Sequence, residues 1–93
     1  MLKLSFEEVM VLAGAQKVPT RKSDVIYWAT TALPRQYSYF TLSLTLDSLV
    51  TRGLVEVTKD WMYRITEEGF KVLKGEYQTL QNIMLTLHTR VTQ

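Results

Sequence analysis

Residues 42–69, LSLTLDSLVTRGLVEVTKDWMYRITEEG, leave this chain few ways to fold. Leu42, Leu46, Leu49 and Val50 recur at helical spacing and make one apolar stripe. Gly53 then stands where a helix ends on a left-handed residue, a conformation that costs glycine little. Leu54, Val55 and Val57 read as a strand, Lys59 and Asp60 as a tight turn, and Trp61, Tyr63 and Ile65 as the returning strand. Thr66 is placed to cap another helix, whose positively polarised first turn would hold Glu67 and Glu68. The segment is a helix, a hairpin and a helix start with almost no residues to spare.

Upstream, Ser5 and Glu8 have the capping-box spacing, and Leu4 and Val9 are placed to form the hydrophobic staple around that cap. Val9, Leu12 and Ala13 carry the inner face of this first helix to about Gln16. A second helix, capped by Thr20 or Ser23, has its core stripe at Val25, Trp28, Ala29, Ala32 and Leu33. Pro34 stops it, because the residue before proline is pushed out of the helical region. Arg35, Gln36, Tyr37, Ser38 and Tyr39 connect to the third helix, expected from about Phe40 to Arg52. Its outward face is centred on Leu44, with Phe40, Thr41, Ser48 and Thr51 around it.

Phe70, Leu73, Tyr77, Leu80, Met84, Leu87 and Val91 follow one another at alternating intervals of three and four, a coiled-coil period sustained for three heptads. Phe70 and Leu73 can pack on the preceding domain. Leu80 to Val91 run beyond it and need another cover: the same helix of a second copy, or the first helix of the same chain. Gly75 lies off the seam and marks a bend. The expected organisation is a domain over residues 1–69 and a dimerisation helix over residues 70–93.

Ninety-three residues suit one domain, and an apolar share of 46% suits a packed core rather than a disordered chain. Without cysteine there is no disulfide and no thiolate metal site. The start, MLKLSFEE, lacks the unbroken apolar run of a signal peptide, and no segment approaches the ~20 apolar residues of a membrane span. The expectation is a soluble cytoplasmic protein that does not engage a membrane. His88 is the only histidine, so a metal is not expected. Glu7–Glu8 and Glu67–Glu68 open helices, where the dipole favours them, rather than forming a catalytic pair. No phosphate loop or nucleophile elbow is present, so neither an enzyme nor a cofactor is expected. Trp28 and Trp61 read first as packing aromatics, and Met10, Met62 and Met84 as adaptable filler.

Between Gln16 and Gly53, Lys17, Arg21, Lys22, Arg35 and Arg52 stand against Asp24 and Asp47, a net of +3 within a chain whose total is +2. That concentration suits a phosphate backbone. The order helix, helix, helix, hairpin, long helix resembles the winged helix-turn-helix transcriptional regulators, especially the PadR and MarR-like groups. Small members from archaeal viruses and plasmids share the pattern. The residues that carry the resemblance are Thr41, Leu42, Leu46, Leu49, Gly53, Leu54 and Val55, continued by Tyr63, Ile65, Thr66 and Gly69. The resemblance implies an α+β fold, mostly α, that binds double-stranded DNA as a homodimer. A viral member would act inside its host cell.

Carried over by position, the resemblance implies groove contact by Thr41, Leu44, Thr45, Ser48 and Arg52 on the third helix. Hydroxyls can pair with base edges, and a leucine can touch a thymine methyl. Arg35, Gln36, Tyr37, Ser38 and Tyr39 would meet phosphate at that helix's N-terminus. Lys59 and Arg64 would be the wing's phosphate contacts, with Lys17, Arg21 and Lys22 flanking. Tyr77, Leu80, Met84, Leu87 and Val91 would form the dimer seam. The third helix lacks Asn, Gln and Lys, so bidentate base reading is poorly supplied. The alternative is a winged-helix protein-interaction module that docks a partner on Phe40, Leu44 and the tyrosines. Neither reading names an effector ligand.

Overall fold

The computed structural model describes residues 4–33 and 37–92, with side chains described as far as residue 79 and at 81 and 82. Three helices come first: α1 (Phe6–Gly14), α2 (Lys22–Ala32) and α3 (Tyr39–Thr51). An antiparallel hairpin of β1 (Val55–Val57) and β2 (Tyr63–Ile65) follows, and then the long helix α4 (Glu67–Thr92).

Local chemistry explains each boundary. The α1 capping box forms as expected. The Ser5 backbone N–H donates to Glu8 Oε1 at 2.9 Å and the Glu8 N–H donates to Ser5 Oγ at 3.3 Å, while Leu4 and Val9 are both buried. The extended backbone of Leu33 ends α2 immediately before proline. Ser38 caps α3 by accepting the Thr41 N–H at 3.1 Å, so that helix begins one residue earlier than its apolar stripe announces.

The end of α3 is a Schellman motif. Gly53, at φ 77°, donates to the Val50 carbonyl and Leu54 donates to the Leu49 carbonyl, both at 3.0 Å. Thr66 then joins this end to the start of α4. Its hydroxyl donates to the Gly53 carbonyl at 2.7 Å and accepts the Gly69 N–H at 2.9 Å.

The core draws on every element. Val9, Val11 and Leu12 from α1, Val25, Ile26 and Ala29 from α2, and Leu42, Leu46 and Leu49 from α3 are fully enclosed; Val55, Ile65 and Leu73 close the hairpin and α4 over them. On α2 the observed face is Val25, Ile26, Ala29 and Leu33, in place of the expected Trp28 and Ala32. α1 approaches α2 closely here: a Cβ on Gly14 would lie 2.9 Å from the Val25 carbonyl oxygen and 3.3 Å from Trp28 Cε3. The two helices therefore meet over Val25, with the Trp28 ring at the rim of the contact and Ile26 enclosed on the stripe's other flank.

Two more expectations need correction. Neither Thr20 nor Ser23 caps α2; Arg21 occupies the cap without a side-chain bond. Thr20 is used elsewhere, because its backbone exchanges hydrogen bonds with Tyr63 at 2.8 and 2.7 Å and so pins β2 to the α1–α2 loop. Trp61 does not belong to β2 and packs no core. It takes the left-handed position of a three-residue hairpin loop at φ 61°, after a turn closed by the Trp61 N–H on the Thr58 carbonyl at 3.0 Å. Thr58 Oγ1 accepts the Met62 N–H at 3.2 Å and holds the loop shut. The left-handed backbone costs an L residue ~1–2 kcal/mol relative to a right-handed one.

Candidate nucleic-acid interface

The apolar stripe of α3 faces inward, so Tyr39, Phe40, Thr41, Leu44 and Ser48 all stand exposed. Phe40 keeps 71% of its surface and Leu44 54%, unusual values for such side chains on a short helix. Thr45 is half-buried at the edge of this face and spends its hydroxyl on the Thr41 carbonyl at 3.1 Å. Ser38 spends its own on the helix cap. Thr41, Leu44, Thr45 and Ser48 thus share one face, as anticipated.

What lies beside that face was not anticipated. A shallow groove runs along it, and its far wall is the start of α1: Ser5, Glu7 and Glu8. Arg52 joins α3 to this wall by donating from Nη1 to Glu8 Oε2 at 2.6 Å. Partial burial acts to raise the Glu8 pKa. The hydrogen bonds with the Ser5 backbone and hydroxyl, joined by the charge and hydrogen bond of Arg52, outweigh it and hold the carboxyl below the usual carboxylate range. Tyr37 is half-buried against the core with its hydroxyl 3.4 Å from Glu7 Oε2, which makes it a packing residue rather than a free phosphate donor.

Four further cations are also engaged. Arg21 pairs with Asp24 at 3.8 Å and Arg64 with Glu56 across the hairpin at 2.5 Å. Lys22 sits 3.4 Å from Asp47 on α3, with its ammonium 5.9 Å from the Tyr63 ring centroid, so it spans from the wing to α3. Lys17 lies 4.1 Å over the Phe70 ring. Lys59 is exposed near Trp61 at the wing tip and makes no ion pair among the described residues. Arg35 and Gln36 lie outside the described residues, as do the side chains of Leu80, Met84, Leu87, His88 and Val91. On α4, Gly69, Leu73 and Glu76 turn inward while Phe70 and Tyr77 remain exposed.

Glu7 and Glu8 border this face only because the fold brings them to α3, and nothing in their spacing signals it. The exposure of Trp61 does have a sequence signal, the three-residue hairpin loop it ends. Among the described residues no group of three or more His, Cys, Asp or Glu side chains is arranged to hold a metal. No helix among them is long and apolar enough to cross a membrane.

Three helices, a hairpin pinned to the loop between the first two, and a fourth helix make the layout of a winged helix. No family model and no curated protein matches the chain. A solved structure does: a protein of unknown function from Listeria innocua Clip11262, 14% identical, with a TM-score of 0.59 over 95% of this chain and 75% of that one. At that identity the likeness is one of fold.

Proposed function

We propose that this chain is a double-stranded DNA-binding regulator of transcription, of the PadR and MarR-like kind, which seats α3 in the major groove and works as a homodimer. The observation that carries the reading is the outward face of α3. Thr41, Leu44 and Ser48 stand clear of the core on a helix whose other side is fully packed. An α-helix about 10–12 Å across fits a major groove about 12 Å wide. Hydroxyls and a leucine there supply hydrogen bonds to base edges and contact with thymine methyls.

The ion pairs on this surface do not oppose the reading. Exposed pairs of this kind contribute ~0–1 kcal/mol, so a phosphate can replace the carboxylate at little cost. They do set the character of the complex, which would draw on shape and methyl contact more than on a strong positive field. Tyr77, a heptad position left exposed on α4, supports a second copy as the cover of that helix. A dimer of this symmetry prefers a near-palindrome with half-sites about 10 bp apart or a multiple of that.

The test is binding to a labelled mixed-sequence duplex of about 30 bp at several salt concentrations. Affinity that falls steeply with salt supports phosphate contact; no binding at low salt refutes the reading.

One observation favours a second reading, a module that docks another protein. Exposed Phe40 and Leu44 lie beside the carboxylates of Glu7 and Glu8, a pairing that fits a basic, apolar peptide. A Glu7→Gln variant separates the two, because losing a carboxylate should weaken capture of a basic peptide, whereas removing negative charge beside α3 should not weaken duplex binding.

A further inference from the structure

We propose that Trp61 is the wing's principal contact with DNA, an apolar side chain laid into the minor groove rather than a cation set on the backbone. The proposal rests on the DNA-binding reading above. The build of the wing carries it.

Trp61 is 79% exposed, the most exposed large apolar side chain among the described residues. It also occupies the one left-handed non-glycine position there, where glycine or asparagine would be easier for the backbone. The loop is not slack around it, since the Thr58 carbonyl and hydroxyl fix both the Trp61 and Met62 N–H groups. Strain held in place by hydrogen bonds, with a bulky ring turned to solvent, is characteristic of a contact residue rather than of a turn residue.

Of the two cations expected to contact phosphate from the hairpin, Arg64 stands back from the tip on β2, facing Glu56 across the strands at 2.5 Å, and only Lys59 lies at the tip. What the tip presents is the Trp61 indole with Lys59 and Asp60, all three exposed, so the tip carries no net charge of its own and its largest contact surface is the ring. An apolar ring with an adjacent ammonium suits a minor groove: the ring lies against sugars and base edges, and the lysine reaches a bordering phosphate. Val57, also exposed on the hairpin, extends the apolar surface behind the tip. The wing is oriented for this use. Its second strand is pinned at Thr20, and Lys22 spans from Tyr63 to Asp47 on α3, so wing and α3 are held as one surface.

The experiment uses full-length protein with Trp28→Phe, which leaves Trp61 as the sole tryptophan. Binding to a labelled duplex is followed by anisotropy while the indole emission is recorded in the same titration. The expected result is binding accompanied by quenching or a blue shift of Trp61. Trp61→Gly should then bind roughly tenfold more weakly, as for loss of one aromatic contact on nucleic acid. That loss should be the same at low and moderate salt, because an indole displaces no counterions, whereas Lys59→Ala should flatten the salt slope by about one. Trp61→Gly should also melt no lower than wild type, which excludes misfolding as the cause.

Binding with unchanged Trp61 emission and an unaffected Trp61→Gly variant would overturn the wing contact and leave α3 as the DNA-binding element. Absence of any duplex binding, by anisotropy, would overturn both readings together. Pre-filling the minor groove with netropsin should bring wild type down to the affinity of Trp61→Gly; an undiminished difference would place the indole elsewhere and overturn the minor-groove assignment.

Discussion

Arg52 at the end of α3 donates to Glu8 in the first turn of α1 at 2.6 Å, joining residues 44 apart in sequence. The same carboxylate accepts the Ser5 N–H through its other oxygen. One side chain thus caps α1 and restrains the cation that the DNA reading assigns to α3.

Replacing Glu8 by Gln separates these two roles. Glutamine serves at that position of a capping box, so the start of α1 should persist. Arg52 loses its ionic partner and becomes available to phosphate. Non-specific duplex affinity should rise several-fold at low salt and the salt slope should steepen by up to about one. Arg52→Ala in the Glu8→Gln background should remove the gain. Equal affinities for Glu8→Gln and wild type would show that Arg52 does not face DNA.

Glu8 also makes a pH prediction. Its folded-state pKa lies below the usual value of 4.5, because Ser5 and Arg52 favour the carboxylate more strongly than burial disfavours it. A group with a depressed folded pKa stabilises the fold above its unfolded value, and that contribution is lost as pH falls through the folded one. From about pH 4.5 downward, wild type should therefore lose stability more steeply than Glu8→Gln. Urea midpoints of both proteins between pH 3 and 7 check this; parallel curves would assign acid sensitivity to other carboxylates.

The fold was legible where local chemistry and tertiary packing agree. The capping box at Ser5, the glycine stop at Gly53, the Thr66 cap and the inner stripe of α3 all follow from spacing and backbone preference. The errors lie where a distant neighbour decides. Ile26 and Trp28 flank the Val25–Ala29 stripe on opposite sides of α2, and only tertiary packing decides that Ile26 is enclosed while Trp28 stays partly exposed. Thr20 looks like a helix cap until Tyr63 takes its backbone. The candidate face on α3 was legible for the same reason as its core, being the other side of one helix. Its acidic border was not, since Glu7 and Glu8 reach it through a packing that joins the first helix to the third. Composition had placed a net +3 around the interface, and the fold returns two carboxylates to it.

Two glycines of α4 should respond oppositely to alanine. Nothing lies near a Cβ built on Gly75, so Gly75→Ala should stabilise the helix by about 1 kcal/mol. At Gly69 a Cβ would run into the Leu54 carbonyl oxygen and lie 2.9 Å from Ile65 Cγ1. There the steric cost should exceed the propensity gain, and Gly69→Ala should destabilise by about 1–3 kcal/mol. Thermal or urea unfolding of the two variants gives the contrast. If Gly69→Ala proved as stable as wild type, the close seating of α4 on the hairpin would be refuted.

The proposed dimer is testable through the heptad positions that follow Tyr77 along α4. Leu73 is taken up by the core, whereas Tyr77 is exposed and the heptad continues through Leu80 and Leu87. Charges at two such positions would repel a second copy without touching the residues that seat α4 on the hairpin. Leu80→Glu with Leu87→Glu should therefore sediment as a folded monomer. Such a monomer should bind a half-site as wild type does but lose preference for the palindrome, because pairing supplies the second α3 rather than the first. A double variant that still sediments as a dimer would move the interface off this seam.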